Sequence, residues 1–180
     1  LKSRLSPFRY PAFRSFFAVQ SISLIGSWSH DLARAWIVIE MMGKAGALGS
    51  LFLAAAIPSL FLILHAGVLV DKVDSKRIMI ITKFLLAILT LALAAVVEFS
   101  QVEMWHLWVF VFIEGCVVAF DAPAYQTLTV RMVPKEEFQQ AIALNSTNFH
   151  AARMIGPIVA GFLMAIHGPS LVFLFDGLSF

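Results

Sequence analysis

Charge is what this chain has least of. Only 13% of its 180 residues are Asp, Glu, Lys or Arg, and mean hydropathy is +0.87. That balance excludes an ordinary soluble domain. Residues 45–70 hold no charged side chain, and about 20 apolar residues already span the hydrocarbon core as a helix. Cysteine is nearly absent too. Cys116 stands alone in an apolar stretch, which excludes an internal disulfide and reads as a small packing residue. Nucleophile elbow, phosphate-binding glycine loop and zinc-protease signature are all missing, so no catalytic machinery is visible. His30, His65 and His150 fall on different segments without ligand spacing, so neither a metal nor another cofactor is expected. Repeats, heptads and low-complexity tracts are lacking. A cleavable leader is not expected either, because the first long apolar segment carries polar residues and no small-residue cleavage site follows it. Asn145-Ser146-Thr147 fits a glycosylation sequon, but it lies within a predicted helix near the basic side and reads as chance.

The little positive charge present is placed in order. Ten of the thirteen Lys and Arg residues form three patches: Lys2, Arg4, Arg9 and Arg14; Lys72, Lys76, Arg77 and Lys83; Arg131 and Lys135. The alternate connections, near 43–46, 98–106 and 167–170, hold only Lys44. This is the positive-inside pattern of a multi-pass plasma (bacterial inner) membrane protein with a cytoplasmic N-terminus. The net charge of +2 comes from those loops. It points to anionic headgroups of the lipid bilayer, with no nucleic acid partner implied.

The fold expected is all-α and integral to the membrane. Spans are predicted over about 13–41, 45–70, 78–97, 104–124 and 138–166, with a sixth beginning at 170–180. Gly43, Lys44 and Gly46 mark an outer turn, and Pro58 is expected to kink the second span. Lys83 sits one turn into the third, where its stem can snorkel to the interface. Trp105 and Trp108 are interfacial anchors of the fourth span, which is expected to end at Pro123 or soon after. Pro134 with Glu136 and Glu137 suits the first turn of the fifth. The chain starts at Leu1 and stops at Phe180 inside an apolar run, so it is expected to be a piece of something longer.

Two stretches carry motifs. Gly67-Val-Leu-Val-Asp71-Lys72-Val-Asp74-Ser75-Lys76-Arg77 places a small residue, then an acid at the membrane edge, then a tight basic turn. It resembles the loop-2/3 signature of the major facilitator superfamily, G-x-x-x-D-R-x-G-R-R. Asp74 replaces a Gly of the general pattern, a departure usual in one drug- and siderophore-exporting branch. Ala152-Arg153-Met-Ile-Gly156-Pro157-Ile-Val-Ala160-Gly161 is similar to that superfamily's antiporter motif, G-x-x-x-G-P-x-x-G-G, with Ala152 and Ala160 replacing two glycines. Small residues at this spacing let helices approach closely, and Pro157 gives a bend about which they can pivot. Phe120-Asp121-Ala122-Pro123-Ala124 and Gly26-Ser27-Trp28 also look like that branch, which includes macrolide-efflux and enterobactin-exporter-type proteins and some lysophospholipid transporters.

The resemblance implies the N-terminal six-helix bundle of a twelve-helix fold, truncated within helix 6. Its missing C-terminal half would rock against it in alternating access. It implies a transporter, not an enzyme, exporting a small amphipathic molecule by proton antiport. A lipid transporter or a non-transporting scaffold is the alternative. Asp71 with Lys72, Lys76 and Arg77 would close an inner gate, with Asp121 nearby. Charged residues inside spans are rare and usually functional. Asp31 and Arg34 share a helix face and can pair. Glu114 and Arg153 lie near mid-depth on consecutive helices and are expected to pair with each other. Asp31 and Glu114, the carboxylates well inside predicted spans, are the candidate proton carriers, beside Arg34 and Arg153.

Overall fold

The computed structural model describes residues 6–42, 45–100 and 102–180. Among them are six α-helices: α1 (Pro11–Met42), α2 (Ala45–Lys72), α3 (Ser75–Phe99), α4 (Met104–Arg131), α5 (Phe138–His167) and α6 (Pro169–Ser179). Short connections force consecutive helices to run antiparallel. The residues around 73–74 and 132–137 therefore share one end of the bundle, called here the basic end. Ser100, Val102, Glu103 and Gly168 share the other.

Local chemistry sets the helix ends. Asp74 caps α3, its carboxylate accepting from the Lys76 backbone N–H at 3.1 Å. The acid that departs from the loop signature thus satisfies an otherwise orphaned donor. The Glu103 backbone N–H donates to His106 Nδ1 at 3.1 Å at the start of α4. Gly168, at φ 84°, turns α5 into α6, and Pro169 opens α6, where its missing N–H costs nothing.

One expected boundary is wrong. Pro123 does not end the fourth helix, which continues to Arg131. The residues after it are held to α5 by polar contacts. The Tyr125 hydroxyl donates to Asn145 Oδ1, and Asn145 Nδ2 donates to Thr129 Oγ1 at 3.2 Å. Asn145, part of the apparent sequon, is a helix-to-helix bridge.

Packing follows small residues. Helix α1 packs chiefly on α5 and α6, α2 on α4, and α3 on α4 and α6. A Cβ on Gly156 would overlap Trp28, and Ser29 Oγ donates to the Gly156 carbonyl at 2.8 Å. The α2–α4 crossing repeats the device. A Cβ on Gly115 would fall 2.5 Å from the Ala55 carbonyl oxygen, and Ser59 Oγ donates to the Gly115 carbonyl at 2.9 Å. Close backbone approach sealed by a serine is how membrane helices associate where no hydrophobic drive separates them from lipid. By contrast Gly67 and Gly161, expected to serve the same purpose, face open space with nothing within 4 Å of an added Cβ.

An apolar cluster around Ile37, Leu51, Leu107, Val111 and Phe173 fills the interior away from the basic end. Smaller ones around Val70, Ile78 and Ala124, and around Phe13 and Val133, fill the basic end. The outside is as apolar as the inside. Phe61 is 74% exposed, Leu64 77%, Met154 75% and Ile158 72%, a surface that water would not tolerate but hydrocarbon does. Among the described residues, four stretches can cross a membrane by length and composition: Gly46–Val70, Ser75–Phe99, Met104–Arg131 and Lys135–His167. Helix α1 has the length but carries the polar and charged side chains that build the site.

Candidate functional site

Arg34 is the centre of the interior charge. Its Nη1 donates to Glu114 Oε2 of α4 at 2.5 Å, and its Nη2 donates to Asp31 Oδ1, one helical turn back, at 2.5 Å. The i, i+3 spacing puts Asp31 on the Arg34 face as the sequence required. Exposure grades across the three: the side chain is 14% accessible for Arg34, 29% for Glu114 and 49% for Asp31. The guanidinium is enclosed and the aspartate opens outward. It opens into a cleft of about 150 Å³ between α1, α2 and α4, lined by Trp28, Asp31, Arg34, Leu48, Leu51, Phe52 and Val111. The walls are apolar apart from this ion network. Such a cleft suits an amphipathic molecule, with contact area from the rings and orientation from the charges.

The expected Glu114–Arg153 pair is not formed. Glu114 is taken by Arg34, and Arg153 lies on an exposed face of α5 with its guanidinium 5.3 Å from the Trp28 ring centre. The reason is rotational. Gly156 and Ala152 turn towards α1 and are buried, so Arg153 meets the tryptophan flanking that contact rather than α4. It holds a cation against the cleft wall through a cation–π contact.

A second buried pair was missed by sequence reasoning. His30 Nδ1 lies 2.8 Å from Asp176 Oδ2 of α6, with side chains 5% and 2% exposed. Ser27 Oγ approaches the other carboxylate oxygen at 3.4 Å, and the His30 ring stands edge-on to Phe173 at 4.7 Å. His30 Nε2 is buried without a partner among the described residues. A signal existed: an aspartate seven residues into an apolar helix is the kind of intramembrane acid that marks function. Sequence reasoning names only Asp31 and Glu114 as carboxylates well inside spans and does not reach Asp176, in the segment expected to begin a sixth.

At the basic end, Lys72, Lys76 and Arg77 are exposed, and the Asp71 side chain lies outside the described residues. Asp121 does not join that cluster. It accepts from Thr82 Oγ1 at 2.6 Å and pairs with Lys83 Nζ at 3.1 Å, tying α3 to α4. Lys83 therefore does not snorkel; its side chain is 15% exposed, and Nζ also lies 5.0 Å from the Phe180 ring centre. An interior carboxylate within its reach satisfies the ammonium better than a distant interface. Of the antiporter-like motif, Gly156 makes the α1 contact, whereas Pro157 and Gly161 are exposed.

Residues 2–180 match the family model described as transmembrane secretion effector, a major facilitator family. Among curated proteins, the staphyloferrin A transporter of Staphylococcus aureus is 25% identical over 160 residues, covering 88% of this chain and 40% of the relative. The macrolide efflux protein A of Streptococcus pyogenes is 27% identical over 154 residues, 86% of this chain and 38% of the relative. An uncharacterized major-facilitator-type transporter of Bacillus subtilis, YfiS, is 26% identical over 170 residues, 91% and 40% respectively. The chain thus spans about two-fifths of the length of the curated relatives it matches. No solved structure matches it significantly.

Proposed function

The chain belongs to the transmembrane secretion effector family of the major facilitator superfamily, and from that premise we propose that it forms one half of a proton-coupled exporter of a small amphipathic molecule. The observation that carries this reading is the Asp31–Arg34–Glu114 network beside an apolar cleft. Two carboxylates share one guanidinium, so the network carries one negative charge more than it can neutralise. In a medium of low dielectric that excess attracts a proton or a cationic ligand group. A proton entering at Asp31 frees one guanidinium contact, and loss of that contact changes how α1 is held to the cleft. This is the coupling an antiporter requires: one ion whose presence alters the binding of the other load.

The relatives are named for staphyloferrin A and macrolides, and a cleft of about 150 Å³ is smaller than the usual site of a drug-sized ligand. The cleft would then be one wall of a cavity completed by a second six-helix half. The Asp71, Lys72, Lys76 and Arg77 turn at the basic end would face the cytoplasm and meet that half, as an inner gate that Asp71→Asn should impair. The test is flux in proteoliposomes of the full-length transporter, using a macrolide and staphyloferrin A as probes. Export should rise several-fold when an inward proton gradient is imposed. Equal rates with and without the gradient would remove proton coupling, and no flux of either probe would remove the substrate class.

A further inference from the structure

The buried His30–Asp176 pair has no part in the network just described, yet it stands one residue from Asp31 and one helical turn from Arg34. We propose that it is a second proton-binding site, loaded and unloaded at His30 Nε2, with Asp176 positioning the ring. The inference deepens the export reading, on which its physiological role rests, but the site itself does not depend on it.

The first argument is the unused atom. Asp176 Oδ2 holds Nδ1 at 2.8 Å, which leaves Nε2 as the free corner of the ring, buried and without a partner. With Nδ1–H given to an aspartate, Nε2 is a bare lone pair and the pair carries one negative charge. Adding one proton brings the pair to zero, and Nε2 then bears hydrogen whether the shared proton sits on Nδ1 or on Asp176. Nε2 is therefore the atom at which loading is read.

The second argument is charge. The groups facing the pair are Asp31 and Arg34 on α1 and Glu114 on α4, while Arg153 of α5 sits on an exposed face over the Trp28 ring. Two carboxylates against one guanidinium leave that network with one negative charge. On α3, Lys83 is already matched by Asp121. Without its extra proton the His30–Asp176 pair therefore adds a second negative charge beside that of the network, and with the proton it adds none. Along their helices His30 and Asp176 lie roughly 10–18 Å from the end opposite the basic one, at 1.5 Å per residue, where an uncompensated charge is costly.

The third is placement. The pair bridges α1 and α6, and Ser27 reaches the same carboxylate. A shift of α6 against α1 would separate the partners and expose Nε2, so proton occupancy and helix packing report on each other.

The test is the imidazole ¹⁵N spectrum of histidine-labelled full-length transporter in lipid bilayers, with His30 assigned by its loss in His30→Asn, or in His30→Gln if the first variant does not fold. Stepping the pH should convert His30 Nε2 reversibly between protonated and bare forms while Nδ1 stays hydrogen-bonded. Asp176→Ala should release the neutral ring to the opposite tautomer. A His30 signal that stays in one protonation state throughout roughly pH 5 to 9, the range in which histidine switches, would overturn the proposal. So would a wild-type tautomer pattern in Asp176→Ala. If Nε2 titrates as expected but export ignores the proton gradient, the site stands and the antiport reading fails.

Discussion

Replacing Arg34 with Met should be among the most destabilising single changes in this bundle. The guanidinium donates to Glu114 and Asp31 at 2.5 Å each and is only 14% exposed. Its removal leaves two carboxylates facing each other on α1 and α4 without their cation. Breaking a buried pair from one side costs about 3–5 kcal/mol, a shift of roughly a hundredfold to several thousandfold in the folded ratio. The two acids are unequal. Asp31 is 49% exposed, so solvent screens it, and Asp31→Asn should cost about 1 kcal/mol or less. Glu114→Gln keeps an acceptor for Arg34 and should fall between. The assay is reversible unfolding of the purified full-length protein in mixed micelles, with Arg34→Met, Glu114→Met and the double variant forming a cycle. The double variant removes charge from both helices and should recover part of the single loss, giving a coupling of about 1–3 kcal/mol. If Arg34→Met is as stable as the wild type, or the coupling is zero, α1 and α4 are not held together by this pair.

Three further outcomes follow from the geometry. Gly156→Leu should disrupt the α1–α5 crossing and lower yield and thermal stability sharply, because Trp28 and the Ser29 backbone already occupy the space, whereas Gly161→Ala should be neutral in the same melt. Asp74→Ala should cost about 1 kcal/mol by uncapping α3, a loss that Asp74→Asn should largely avoid. In intact cells, a membrane-impermeant thiol reagent should reach cysteine at position 103 but not at position 72; labelling of 72 would reverse the orientation read from the basic patches.

The helical, membrane-embedded character of the chain was legible because the bilayer imposes it on composition: a charge-free run over 45–70 leaves little choice. The Asp31–Arg34 pair was legible because both residues lie on one helix at a spacing that fixes the face. The partners across helices were not. Depth along consecutive helices pairs Glu114 with Arg153, but partner choice depends on rotation about the helix axis. Gly156 and Ala152 set that rotation for α5, sending Arg153 to Trp28. Depth likewise groups Asp121, near the cytoplasmic end of the fourth span, with the loop cations, when Lys83 on the facing side of α3 is nearer in space. The glycine readings divide for the same reason. A small residue permits close approach, yet only the neighbour decides whether it happens, as at Gly156 and Gly115 but not at Gly67 or Gly161. His30–Asp176 joins residues 146 positions apart, a pairing that helix periodicity alone cannot reveal.

The account stands most directly on whether the interior acids carry the coupling proton. The measurement is paired transport by full-length transporter in proteoliposomes: export driven by an imposed proton gradient, and substrate exchange at equilibrium without one. Asp31→Asn together with Glu114→Gln should abolish the gradient-driven component while leaving exchange within a few-fold of the wild type. Full gradient-driven export by that double variant would contradict the account, and the coupling proton would have to be carried elsewhere.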